Sequence, residues 1–187
     1  MVKLKEILDT VFEDMNTATN KQFEAGRVYS NPHHTAFKLN ESVEKVLYIM
    51  IGLPGSGKST FIKTLPNPVV CSADHYFEQG GEYKFDVNKL GAAHQQCKNK
   101  VQDNMLMSKP LIVVDNTNLN DKERKPYEDL AEKHGYTIKY ILFEPDKHNI
   151  EKLAKRNLHG VPAAKLSVML DRYRPPSGHK GEVIYKK

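Results

Sequence analysis

Gly52-Leu53-Pro54-Gly55-Ser56-Gly57-Lys58-Ser59-Thr60 decides the fold. The stretch fits G-x-x-x-x-G-K-[ST], the spacing of a phosphate-binding P-loop. Before it, Val46-Leu47-Tyr48-Ile49-Met50-Ile51 is apolar throughout and predicts a buried strand. After it, Lys58 to Leu65 contains no breaker and predicts a helix. Strand, glycine loop and helix is the context the motif requires. Glycines let the backbone turn sharply, so several N–H groups can face one anion, and a helix N-terminus adds partial positive charge. In that arrangement Lys58 reaches the β- and γ-phosphates of ATP, and the Ser59 hydroxyl ligates Mg²⁺. All nine residues, Gly52, Leu53, Pro54, Gly55, Ser56, Gly57, Lys58, Ser59 and Thr60, belong to the candidate cradle. A tight turn would account for the glycines but not for Lys58 followed by Ser59.

The composition narrows the partners. The chain has 187 residues, 39% hydrophobic and 27% charged, enough for one domain with a sizeable core. No apolar run approaches the roughly 20 residues of a membrane span, and no membrane partner is expected. The N-terminus carries Glu6, Asp9, Glu13 and Asp14 and has no apolar stretch of the signal-peptide kind, so a cytoplasmic or nuclear protein is expected rather than a secreted one. Two cysteines, Cys71 and Cys97, suit a reducing compartment without a disulfide framework or structural zinc. The eight histidines show no metal-binding spacing, and His33-His34 reads as loop. The formal charge of +5 suits a polyanionic partner, although an ordinary basic surface gives the same number.

Residues 1–45 precede the first strand. Leu4, Ile7, Leu8, Val11, Phe12 and Met15 fall at steps of three and four, one apolar face of a helix. That stripe packs on the phosphate-binding domain or, alternatively, makes residues 1–16 a partner or dimer contact. Tyr29 to Asn40 reads as an irregular connector. Beyond the loop helix, Pro66-Asn67-Pro68 breaks the chain, and Val69-Val70-Cys71-Ser72 is a short strand. Asp74 follows at its C-terminal end, where open α/β sheets bind ligands. Gly80-Gly81 marks a turn. Val87, Leu90, His94, Cys97, Val101 and Met105 trace one face of a long helix, with His94 read as a core histidine in preference to a substrate contact.

Leu111-Ile112-Val113-Val114-Asp115 is an apolar strand ending in a carboxylate, the pattern that holds Mg²⁺ directly or through water. Asn118 reads as a helix cap or turn former ahead of a helix from Asp121 to His134, with Gly135 as its C-cap. Thr137 to Phe143 is the next strand. His148 to Asn157 and Ala163 to Tyr173 are helices, and together they form a basic helical hairpin that reads as a lid. A lid excludes water, and its Arg156 can neutralise charge on a transferring phosphoryl group. Lys155-Arg156 as a solvated basic face is the alternative, and Arg172 and Arg174 are secondary candidates.

The chain thus divides into an N-terminal extension (1–45), a domain spanning 46–174 and a C-terminal tail (175–187). The tail reads as loose, with Glu182 to Tyr185 able to add an edge strand. Alternating strands and helices predict an α/β fold of the P-loop NTPase or kinase type: a parallel sheet of 4–5 strands, flanked by helices and topped by a helical lid. Three features favour a kinase over an ATPase or GTPase. Asp74 can take the proton of an acceptor hydroxyl. A basic lid follows the fourth strand. The domain is small, and no Asn-Lys-x-Asp motif for guanine is present.

Gly52 to Thr60, Ser72-Ala73-Asp74-His75-Tyr76, Val114-Asp115-Asn116-Thr117-Asn118-Leu119-Asn120 and Lys155-Arg156-Asn157 occur in this order. Together they resemble the P-loop kinase module of polynucleotide 5′-hydroxyl kinases, a group that includes RNA-repair and ubiquitin-ligase-binding relatives. The resemblance spans residues 46–174. It implies that Lys58 contacts the phosphates, Ser59 the metal, Asp74 the acceptor 5′-hydroxyl as general base, and Arg156 the nucleotide or its phosphates. Two positions depart from the phage-type pattern: Phe77 and His159 stand where those enzymes carry arginines. With few residues beyond Arg174, a phosphatase domain is not expected. The implied activity is ATP-dependent phosphoryl transfer to the 5′-hydroxyl of a nucleic acid. A small-molecule or protein acceptor, or a nucleotide-binding interaction module with little turnover, are the alternatives.

Overall fold

The computed structural model describes residues 44–79, 82–176 and 180–186. The expected helix in residues 1–16, the connector over residues 29–40 and the Gly80-Gly81 turn lie outside the described residues. In chain order the elements are β1 (Val46–Ile51), α1 (Lys58–Ile62), β2 (Val69–Cys71), β3 (Glu78–Gln79), β4 (Glu82–Tyr83) and α2 (Leu90–Leu106). There follow β5 (Leu111–Val114), α3 (Asp121–His134), β6 (Thr137–Phe143), α4 (Ile150–Arg156), α5 (Ala163–Asp171) and β7 (Gly181–Lys186).

Five strands pair in the order β2-β5-β1-β6-β7, all parallel. β1 lies at the centre, with Ile49 registered against Val114 on one side and Tyr140 on the other. Its alternating side chains explain why every position is apolar. Leu47, Ile49 and Ile51 pack with Ala93, Cys97 and Val101 of α2 and Leu130 and Ala131 of α3. Met50 packs on the opposite face with Ile62 of α1 and with Val113, Ile141 and Phe143. A third cluster joins Leu53 and Leu119 to Ile150, Leu153 and Leu166, so α4 and α5 are seated on the phosphate-binding loop itself. None of the described helices is long and apolar enough to cross a membrane.

Several expectations are corrected. The edge strand that Glu182 to Tyr185 could add is formed in place of a loose end, and it is longer: Gly181–Lys186 pairs in parallel with Ile138–Phe143 as the fifth strand. Gly181 permits this, because a Cβ there would stand 2.4 Å from the Ile138 carbonyl oxygen. The helix after the glycine loop stops at Ile62 and continues to Leu65 only as turns. In α2 the buried stripe is Ala93, Cys97, Val101 and Met105, spaced four apart, and His94 is exposed rather than core. A residue three positions from Cys97 is rotated about 60° off that stripe at 3.6 residues per turn, and the small Ala93 takes the inward position. Tyr83 and its neighbours form an antiparallel hairpin, Glu78 against Tyr83 and Gln79 against Glu82, which periodicity could not show in two-residue strands.

Candidate active site

One cavity of about 220 Å³ is lined by Pro54, Gly55 and Gly57 to Thr60 of the loop, by Asp74 and Asp115, and by Arg156 and His159 of the lid. The structure therefore brings Lys58, Ser59, Asp74, Asp115 and Arg156 to a single space at the C-terminal ends of the strands. Gly52, Leu53 and Ser56 lie behind that surface. Leu53 is fully buried in the lid cluster, and its carbonyl oxygen accepts a 3.0 Å hydrogen bond from Lys58 Nζ. Gly52 offers a second carbonyl to Lys58 at the same distance.

Gly55 is the loop's tightest point. Its φ is +78°, and a Cβ added there would stand 2.5 Å from the Leu153 carbonyl oxygen of α4. Both the backbone conformation and the approach of the lid require glycine. We expect Gly55→Ala to separate loop from lid and to cost about 1–3 kcal/mol of stability through strain and clash, measurable as a lowered unfolding midpoint with α4 losing hydrogen-exchange protection.

The electrostatics follow from burial. Desolvation pushes the Lys58 ammonium below its usual pKa, against the pull of Asp115 and then Asp74. Desolvation likewise raises Asp115, opposed first by Lys58 and then by the Ser59 hydroxyl, which donates to Asp115 Oδ2 at 3.4 Å. Ser59 and Asp115 thus present two hard oxygen donors side by side. Magnesium takes one or two protein oxygens and completes its shell with phosphates and water, so this donor pair fits it.

The polar loop after β5 braces the site, a role that sequence reasoning missed. Asn116 Oδ1 accepts from the Ala73 N–H at 2.9 Å, fixing the turn that carries Asp74. Asn116 Nδ2 donates to the Tyr127 hydroxyl at 3.2 Å. The Thr117 carbonyl accepts from the Gly52 N–H at 3.1 Å, fixing the start of the loop. Asn118 is not the helix cap. It is 2% exposed, at φ +46°, and its amide donates to the Met50 carbonyl at 2.7 Å. The cap of α3 is Asn120, whose Oδ1 accepts from Glu123 N–H while Glu123 accepts in return from Leu119 N–H. The run of Asx residues with a carboxylate three positions after Asn120 is the capping-box signal that would have placed it.

Arg156 is exposed and borders the cavity from the end of α4. Asn157 beside it holds the following turn, accepting from Val161 N–H at 2.7 Å and donating to the Val161 carbonyl at 3.0 Å. The secondary candidates serve elsewhere: Arg172 pairs with Glu123, and Arg174 donates to the Asp171 and Tyr173 carbonyls.

Phe77 is 2% exposed and packs edge-on against Tyr83 at 6.1 Å and, tilted by 55°, against Phe85 at 5.1 Å. It belongs to the core rather than to the cavity wall. Two other side chains flank Asp74 instead. The Tyr83 hydroxyl donates to Oδ1 at 3.1 Å, and His159 Nε2 lies 3.7 Å from Oδ2. Burial, and then the adjoining Asp74 carboxylate, push the Tyr83 phenol up to about 12.

A parallel sheet with a glycine loop after its central strand, a carboxylate at the end of each neighbouring strand on one side and a helical lid defines a P-loop kinase-type domain. The chain belongs to the AAA domain family, whose profile matches residues 47–176. It is 42% identical over 144 residues to human (Homo sapiens) NEDD4-binding protein 2, a stretch covering 73% of this chain and 8% of that protein. It is 32% identical over 113 residues to a protein of Acanthamoeba polyphaga mimivirus provisionally named a bifunctional polynucleotide phosphatase/kinase, covering 56% of this chain and 22% of that one. The chain thus matches a minor part of either relative's length. A solved structure from Chloroflexus aurantiacus, provisionally named a kinase, shares the fold at a TM-score of 0.58 and 18% identity, covering 76% of this chain and 84% of that one.

Proposed function

We propose that this domain transfers the γ-phosphoryl group of ATP to the 5′-hydroxyl of a nucleic acid. The observation that carries the reading is the cavity on which Asp74 faces Lys58 and Ser59, with Arg156 on the lid side. The basic balance and the name of the mimivirus relative support a polynucleotide acceptor.

Asp74 takes the proton of the acceptor hydroxyl as its oxygen attacks the γ-phosphorus in line. The new oxygen–phosphorus bond forms as the bond to the β,γ-bridging oxygen breaks, and ADP leaves with that electron pair. Lys58 and Arg156 donate to phosphate oxygens whose charge redistributes in the transition state. Ser59 and Asp115 would hold Mg²⁺, which supplies charge neutralisation on the β- and γ-phosphates when bound. Loop and lid line one cavity for donor and acceptor, so that position contributes as well as charge.

The test is transfer from labelled ATP to 5′-hydroxyl DNA and RNA oligonucleotides, beside a panel of small hydroxyl metabolites. Labelled oligonucleotide ends are expected. Label on metabolites alone would move the acceptor to another class. No label anywhere, with ATP bound, would leave a nucleotide-binding module.

A further inference from the structure

Asp74 is half-buried and stands on a short turn over residues 74–76. Torsion about the terminal bond of an aspartate is broad, so a base in this setting needs something to fix its plane. Two side chains from different elements meet it. Tyr83 comes from β4 and holds Oδ1 at 3.1 Å. His159 comes from the turn between α4 and α5 and stands 3.7 Å from Oδ2, beyond ordinary hydrogen-bond distance. The two rings stack on each other with centroids 4.3 Å apart and planes inclined by 34°. Both are themselves held. Phe77 backs Tyr83 from the core, and Asn157 closes the turn that carries His159 through its two bonds to Val161.

We infer that Tyr83 and His159 are positioning residues for the transfer: Tyr83 fixes the Asp74 carboxylate by Oδ1 so that Oδ2 meets the acceptor hydroxyl, and His159, stacked on Tyr83, ties that orientation to the lid. The inference rests on the reading of Asp74 as base. The hairpin and the lid have no covalent reason to move together, and the ring stack supplies the mechanical link between them. Stacked aromatic pairs favour one relative placement, so seating the lid and aiming the carboxylate become one event. Because the hydroxyl occupies Oδ1, the oxygen left for the acceptor is the one beside His159.

The experiment measures kcat, acceptor KM and ATP KM for wild type, Tyr83→Phe, His159→Ala, His159→Phe, the Tyr83→Phe/His159→Ala pair and Asp74→Asn. Misplaced reacting groups cost rate more than binding, so Tyr83→Phe and His159→Ala should each lower kcat about tenfold, with ATP KM within about twofold of wild type. Acting through one carboxylate, the double variant should also fall about tenfold rather than about a hundredfold. His159→Phe keeps the stack and should recover to within about threefold of wild type. Unchanged kcat in Tyr83→Phe, a double variant whose losses multiply, losses confined to ATP KM, or no recovery in His159→Phe would each overturn the inference. If Tyr83→Phe is normal while Asp74→Asn is inactive, the positioning role falls and the base stands. If Asp74→Asn transfers normally, both fall.

Discussion

Asp74→Asn is expected to bind ATP as wild type does and to lose about 10²–10⁴-fold in phosphoryl transfer, the usual worth of a general base. The substitution is close to isosteric. Asparagine Oδ1 can still accept from the Tyr83 hydroxyl, which reaches Asp74 at 3.1 Å. The backbone of the turn keeps its own supports: the residue 74 N–H donates to Ser72 Oγ, and the Ala73 N–H donates to Asn116 Oδ1. Stability should therefore stay within about 0.5 kcal/mol, because no packing or hydrogen bond is removed. What the amide cannot do is take a proton. The loss should fall on kcat with acceptor KM little moved, because the interaction removed is made at the transition state. Single-turnover transfer from labelled ATP, with ATP affinity measured separately, checks it. Transfer at the wild-type rate in the variant would refute the base assignment, whatever the acceptor proves to be.

The elements legible in the sequence are those whose signal is local. The run Val46 to Ile51 is apolar at every position because β1 is central and buried on both faces, and the helix from Asp121 to His134 carries its stop at Gly135. The place of Asp115 at the end of β5 was legible because an apolar strand ending in a carboxylate is a short-range pattern. β7 was half-legible: Val183 to Tyr185 is a short apolar run, but only its partner, β6, decides that it is a strand, and that partner lies across the lid in sequence. The stripe on α2 was misread because residues such as Leu90 and Val87 are apolar yet exposed, at 36% and 66%. The bracing by Asn116 and Asn118 was not legible at all. An asparagine that bonds a distant backbone has the same sequence signature as one that caps a helix, and its partners here are set by tertiary proximity. Tyr83 belongs to the same class, since its value to the site comes from where a two-strand hairpin happens to place one hydroxyl.

Lys58→Ala should lose both binding and rate, and the two losses are separable. In the structure Lys58 Nζ is parked on the carbonyls of Gly52 and Leu53, at 3.0 Å each. Hydrogen bonds to charged groups are worth about 1.5–3 kcal/mol, so ATP affinity should weaken about 10- to 150-fold. A further loss of about 10²–10³-fold in kcat is expected for a donor aimed at developing charge. Unfolding midpoints give a reading that needs no acceptor. At ATP a hundredfold above the wild-type Kd, nucleotide should stabilise wild type by about 2.7 kcal/mol; a variant bound a hundredfold more weakly gains about 0.4 kcal/mol. For a domain of this size that is about 5–10 °C against about 1 °C. The same lysine sets a pH dependence. Burial holds its pKa below the usual 10.5 in the free protein, and bound phosphate charge would raise it again. Binding then takes up a proton over the interval between the two values, so affinity should decline as pH rises through the depressed pKa and on towards the raised one. In Lys58→Ala that decline should vanish, because the variant has no ammonium there to lose. A slope that survives the substitution would place the titrating group elsewhere in the cavity.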